Sequence, residues 1–196
     1  MRKMHIVPIV GGILGAIGVI AVVTLAPHMP TQAQLAPEET ALLSEWARVG
    51  DALAVQRMVE QGACVEAVSA DGSTALMNAA EYGHVDVAQT LLMHNAQVNA
   101  VNARGETALH VAVRNNQPEM VAFLLKNGAS VDARSTEGET PLMVAAWSGF
   151  VPLVQTLVTA GADVELTDET GAKASFHART VQDAESREQI LKILGN

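Results

Sequence analysis

The chain repeats itself at intervals of 33 residues. Gly72-Ser73-Thr74-Ala75-Leu76-Met77-Asn78-Ala79-Ala80 returns as Gly105-Glu106-Thr107-Ala108-Leu109-His110-Val111-Ala112-Val113, and again as Gly138-Glu139-Thr140-Pro141-Leu142-Met143-Val144-Ala145-Ala146. Further on, Thr90-Leu91-Leu92 is answered by Phe123-Leu124-Leu125 and Thr156-Leu157-Val158. Asn95-Ala96-Gln97-Val98 is answered by Gly128-Ala129-Ser130-Val131 and Gly161-Ala162-Asp163-Val164. A unit this short cannot bury its own apolar face. Stacked neighbours must bury it, so the period itself selects a solenoid.

The spacing within each unit fits a pair of short helices. Gly72, Gly105 and Gly138 supply a tight turn, and Thr74, Thr107 and Thr140 stand where a helix needs a capping oxygen. Pro141 suits the first helical position, and Pro118 and Pro152 suit the first turn of the second helix, where a missing N–H costs little. Gly83 and Gly149 end the first helix and Gly128 and Gly161 the second; Asn116 and Asn95 stand in for glycine, as the other residue that tolerates a left-handed conformation. Small pairs such as Ala79-Ala80 and Ala145-Ala146 let neighbouring units approach closely.

These motifs resemble the ankyrin repeat, whose pattern runs Gly-x-Thr-Pro-Leu-His-x-Ala-Ala, then Gly-His, a Leu-Leu pair and Gly-Ala-x-Val. Gly138-Glu139-Thr140-Pro141-Leu142 matches the opening best, and Thr107-Ala108-Leu109-His110 carries the histidine. The resemblance implies an all-α fold, an ankyrin-repeat solenoid of helix–turn–helix repeats with β-turn or hairpin tips. Full repeats are expected at 71–103, 104–136 and 137–169. Divergent ends at 38–70 and 170–196 read as an N-terminal and a C-terminal cap repeat, Lys173 standing where Thr is expected. Trp46 falls on an Ala position of the motif and reads as cap core.

Residues 6–26 are an unpatterned apolar run behind Arg2 and Lys3, with no further charge until Glu38. Two readings stay open. One is a signal peptide of residues 1–33, cut before Gln34 with Thr31 and Ala33 at the recognition positions, followed by a linker over 34–37. The other is an uncleaved membrane anchor over 6–26, since a helix of that length reaches roughly 31 Å. Both send the remainder out of the cytoplasm, because the positive end stays inside. The expected location is therefore the periplasm, soluble or tethered. Gly11-x-x-x-Gly15 fits a helix-dimerisation spacing, though glycines are common in such runs.

The formal net charge is −9, which argues against nucleic acid as a partner and against peripheral binding to anionic lipid. The acidic surplus reads as a solubilising surface first. No hydrolase, metalloprotease, phosphate-loop or calcium-loop motif occurs, so neither an enzyme nor a cofactor or metal is expected. The resemblance gives His110 and His84 structural roles, His110 bonding to Thr107. His94 and His177 read as single and without partners. Cys64, the only cysteine, reads as an idle thiol in an exposed turn, a mixed disulfide with a partner being the alternative.

The resemblance places a partner protein on the concave face, at the tips and the exposed end of the first helix. By position, that face comprises Asp71, Ser73, Arg104, Glu106, Glu137 and Glu139 at the tips, with Glu81, Tyr82, Arg114, Asn115, Trp147 and Ser148 at the helix ends. Tyr82, Arg114 and Trp147 are the expected anchors, since aromatics and arginine dominate interface energetics. The expected function is non-enzymatic binding or stabilisation of an exported protein, possible partners including an exported enzyme. The alternatives are a membrane-tethered inhibitor or immunity-type protein and a secreted effector.

Overall fold

The computed structural model describes residues 37–195; the apolar run 6–26, the cut before Gln34 and the linker up to its last residue lie outside the described residues. Ten helices follow one another in pairs: α1 (Pro37–Val49) and α2 (Ala52–Glu60), α3 (Ala75–Tyr82) and α4 (Val85–Met93), α5 (Ala108–Arg114) and α6 (Pro118–Lys126), α7 (Pro141–Ser148) and α8 (Val151–Thr159), α9 (Ala174–Ala178) and α10 (Ala184–Ile193). The first helices of the pairs form one layer, α1 on α3 on α5 on α7 on α9, and the second helices the other, α2 through α10. Among the described residues there is no strand, only isolated antiparallel bridges at Val68–Thr74 and Thr167–Lys173.

The local chemistry follows the repeat. Thr74 Oγ1 accepts from the Met77 N–H, and Thr140 Oγ1 from the Met143 N–H, at the third residue of their helices. Gly83 and Gly149 close α3 and α7 at φ 74° and 76°, and Asn95 and Asn116 take the same left-handed conformation at φ 67° and 51°. The core is one continuous cluster of small and branched side chains. Leu76, Ala80, Leu109, Val113, Leu142 and Ala146 line it from the inner helices, Val87, Leu91, Val121, Leu124, Val154 and Leu157 from the outer ones.

Hydrogen bonds between repeats recur at the same period. Glu66, Asn99 and Asp132, one per repeat, accept from the backbone N–H of Gln97, Ser130 and Asp163 in the next. His84 lies 3.1 Å from the Arg48 carbonyl, and Gln117, one period on, donates to the Glu81 carbonyl at 3.1 Å. The structural role expected of His84 is thus a specific one: it ties α3 and α4 back to the cap.

Two expectations need correction. Trp46 is not cap core: it is 38% exposed, and Leu43 and Ala47 of α1 fill the core instead. His177 is not without a partner: its Nε2 lies 2.8 Å from Asp168 Oδ2.

Candidate functional site

The tips are built by one residue per repeat that the motif reading passed over, three positions before the turn glycine. Asn102 Oδ1 accepts from the Arg104 and Glu106 N–H groups at 2.8 and 3.0 Å. Ser135 Oγ accepts from Glu137 and Glu139 N–H, and Asp168 Oδ1 from Thr170 and Ala172 N–H. In the first full repeat this position is Ser69, and Asp71 takes over the work, accepting from the N–H and the hydroxyl of Ser73. The Ser69 hydroxyl, which also donates to Asp71, and these two bonds from Ser73 hold the Asp71 carboxyl down to about pKa 2. A small polar side chain recurring every 33 residues at Ser69, Asn102, Ser135 and Asp168 was the signal available in the sequence.

Successive tips are then bonded backbone to backbone. The carbonyls of Asp71, Arg104 and Glu137 accept from the N–H of Ala103, Thr136 and Glu169 at 3.2, 2.8 and 3.0 Å. The turn glycines sit at these crossings with φ near +75°, and a Cβ on Gly105 would stand 2.7 Å from the Thr136 nitrogen. Glycine is needed there both for its conformation and for the approach of the next tip.

On this scaffold the candidate residues gather unevenly. Asp71, Ser73, Glu81, Arg104, Arg114 and Asn115 line a groove of about 260 Å³ between the first and second full repeats. Arg104, Glu106, Arg114, Glu137 and Glu139 line an adjoining groove of about 220 Å³ between the second and third. The two arginines form the wall between the grooves. They are held by Glu106, which is buried although the sequence placed it among the contact residues. Its Oε2 accepts from Arg104 Nε at 2.9 Å and from Asn102 Nδ2 at 3.0 Å, and its Oε1 is paired with Arg114. Burial pushes the Glu106 carboxyl up, but the bonds from Arg114 and Asn102 and the two arginine charges more than offset this, leaving its pKa below the ordinary value. Glu106 therefore stays ionised and orients two exposed arginine side chains. Ser73 is likewise buried, its hydroxyl turned onto Asp71.

The three expected anchors do not share one groove. Tyr82 is exposed but engaged with the cap: its ring stacks on His84, and the Arg48 guanidinium carbon lies 5.9 Å from its centroid. Trp147 is 61% exposed and lies with Ser148, Phe150 and Val181 around a third depression, beside the C-terminal cap. Arg114 alone belongs to the central grooves. Cys64 is free and exposed. No cluster of three or more His, Cys, Asp or Glu side chains suited to a metal occurs among the described residues, and no described helix is long and apolar enough to cross a membrane.

Paired helices stacked in two layers, with bonded tips and open grooves along the inner helices, define a repeat solenoid. Two family models, both described as ankyrin repeats, match residues 97–168 and residues 58–109. Residues 58–168 are ankyrin repeats, generally a protein–protein interaction module, and no catalytic family is indicated. No curated protein matches the chain.

Proposed function

We propose that the chain is a non-enzymatic binding module that docks an exported protein on its tips and inner helices. The observation that carries this is the Arg104–Glu106–Arg114 arrangement. A buried carboxylate is spent on fixing two guanidinium groups between open grooves, and such fixed groups lose little entropy on binding. Asp71, Glu81, Glu137 and Glu139 flank them with acid, so the complementary partner presents basic groups around a central acidic or carbonyl-rich one. Trp147 and Ser148 extend the face towards the C-terminal cap. Action outside the cytoplasm is part of the proposal; the apolar run 6–26 behind Arg2 and Lys3 supports it.

A photo-cross-linker placed at Asn115, beside the grooves, and separately at Met93, on an outer helix, tests this in cells that make the chain. A protein captured from Asn115 and not from Met93 supports the reading, and its identity separates a stabilised enzyme from an inhibited toxin. Equal capture from both positions, or capture only from Met93, contradicts it.

A further inference from the structure

We infer that the partner is anchored by an arginine side chain that pairs with Glu139 and lies on the ring of Trp147, which rests on the binding function proposed above. The repeat register carries it. The position of Glu106 is held by Ser73 in the first full repeat, Glu139 in the third and Ala172 in the C-terminal cap, so only Glu139 is again a carboxylate. Around Glu106 the chain supplies its own donors, Asn102, Arg104 and Arg114. One period on, the residues in those places are Ser135, Glu137 and Trp147. None of them carries a positive charge, and Ser135 Oγ is engaged by the N–H groups of Glu137 and Glu139. Glu139 is half-buried, and among the described residues no cation lies within ion-pairing distance of its carboxylate.

The charge around Glu139 calls for one cation. It shares the groove of about 220 Å³ with Arg104, Glu106, Arg114 and Glu137. Two arginines there stand against three carboxylates, and both arginines are bonded to Glu106. A single incoming cation balances the groove and meets an attractive field on the Glu137 and Glu139 side. The geometry of the second repeat says which cation fits. Glu106 takes guanidinium groups from two directions, and Arg114 reaches it from the position that Trp147 holds relative to Glu139. Trp147 is 61% exposed, so its ring is open to a ligand. A carboxylate beside an open indole selects a planar cation, whose N–H fork meets the oxygens while its face stacks on the ring. Arginine has that shape and lysine does not.

The neighbouring repeats cannot offer the same anchor. In the first, Ser73 turns its hydroxyl onto Asp71; in the C-terminal cap, Ala172 has no polar side chain. One motif position is thus used in two ways. The second repeat closes its carboxylate with arginines of its own, and the third leaves that pairing to another molecule.

The probe is N-acetyl-arginine amide, with its uncharged isostere N-acetyl-citrulline amide beside it, titrated at constant ionic strength into the isotope-labelled full-length chain, in detergent if the chain requires it. Proton–nitrogen NMR should show the Glu139 amide and the Trp147 indole N–H shifting to saturation with the arginine probe, at a dissociation constant on the order of 10 mM, and not with the citrulline probe. Glu139→Gln, its folding checked by far-ultraviolet dichroism, should abolish the saturating shift. Trp147→Arg, which gives the third repeat the arginine that the second has in Arg114, should abolish it too, read at the Glu139 amide. Equal shifts with both probes, no saturating shift, or a shift that survives Glu139→Gln overturns the inference. So does an unchanged affinity of Glu139→Gln for the protein captured from Asn115, where a loss of tenfold or more is expected; in each of these cases capture from Asn115 leaves the binding function standing. Arginine bound at Glu139 with nothing captured from Asn115 removes the binding function instead.

Discussion

His110 on α5 reaches across to the next repeat, its Nε2 lying 3.1 Å from the carbonyl oxygen of Glu139 in the following tip. Its Nδ1 faces the Thr107 backbone N–H at 3.2 Å. That N–H can only donate, so Nδ1 accepts and Nε2 carries the proton given to Glu139. One neutral tautomer therefore joins the helix cap to the neighbouring repeat. Burial holds the imidazole below its ordinary pKa, more strongly than the Glu139 carbonyl and the Glu106 charge raise it.

Acid should weaken the stack through this residue. The folded pKa lies below the unfolded one, so the unfolded chain binds more protons as pH falls. The stability is fully present above the unfolded value of about 6.5 and is lost on descending through that region. Denaturant unfolding at pH 7.5 and pH 5.5 should show a loss in the wild type and a smaller one in His110→Gln. At pH 7.5, His110→Gln itself should cost about 1–3 kcal/mol.

A second acid step belongs to Asp168. Burial raises this carboxyl, but the Thr170 hydroxyl, the Ala172 N–H and His177 together bring it down to about 2. Its contribution is present above its ordinary value near 3.8 and lost as pH falls towards 2. Asp168→Asn keeps the two backbone bonds and gives up the carboxylate facing His177. Its unfolding curves should be shallower than wild type between pH 4 and 2, where the unfolded wild-type chain alone takes up the proton, with the far-ultraviolet spectrum unchanged at neutral pH.

The turn glycines and the helix-end glycines should respond differently to the same methyl group. Gly105 and Gly128 share positive φ, 70° and 87°, yet a Cβ on Gly128 would meet nothing within 4 Å, whereas on Gly105 it would press on the Thr136 nitrogen. Gly128→Ala should cost about 1–2 kcal/mol, the conformational term alone. Gly105→Ala should cost more, because it also parts two bonded tips. Chemical denaturation of both variants measures the difference, and equal losses would mean the tip contact contributes nothing.

The period, the helix pairs, the Thr74 and Thr140 helix caps and the glycine and asparagine turns were all legible in the sequence, because each is a local preference repeated in register. What escaped depends on side-chain contacts that the repeating pattern does not carry. Glu106 sits at a tip position that reads as exposed, but Asn102 and two arginines draw it inside. His177 reads as solitary because Asp168, nine residues away, meets it only through the turn of the cap. Trp46 occupies a core position of the motif whose burial requires a neighbour on its far side. The three expected anchors all stand at the exposed end of a first helix, Tyr82 one position later in the motif than Arg114 and Trp147, but they do not share a neighbourhood, since Arg48 and His84 engage Tyr82 while Glu106 engages Arg114.

The contact face is tested most directly by comparing Arg114→Glu with Met93→Glu in quantitative binding to the partner captured from Asn115. Arg114→Glu reverses a charge on the wall between the grooves; Met93→Glu adds one on an outer helix, and Met93 is 69% exposed. Arg114→Glu is expected to weaken binding by tenfold or more, about 1.4 kcal/mol or above, with helicity retained and Met93→Glu close to wild type. Undiminished binding by Arg114→Glu, or an equal loss in both variants, would place the partner elsewhere on the solenoid.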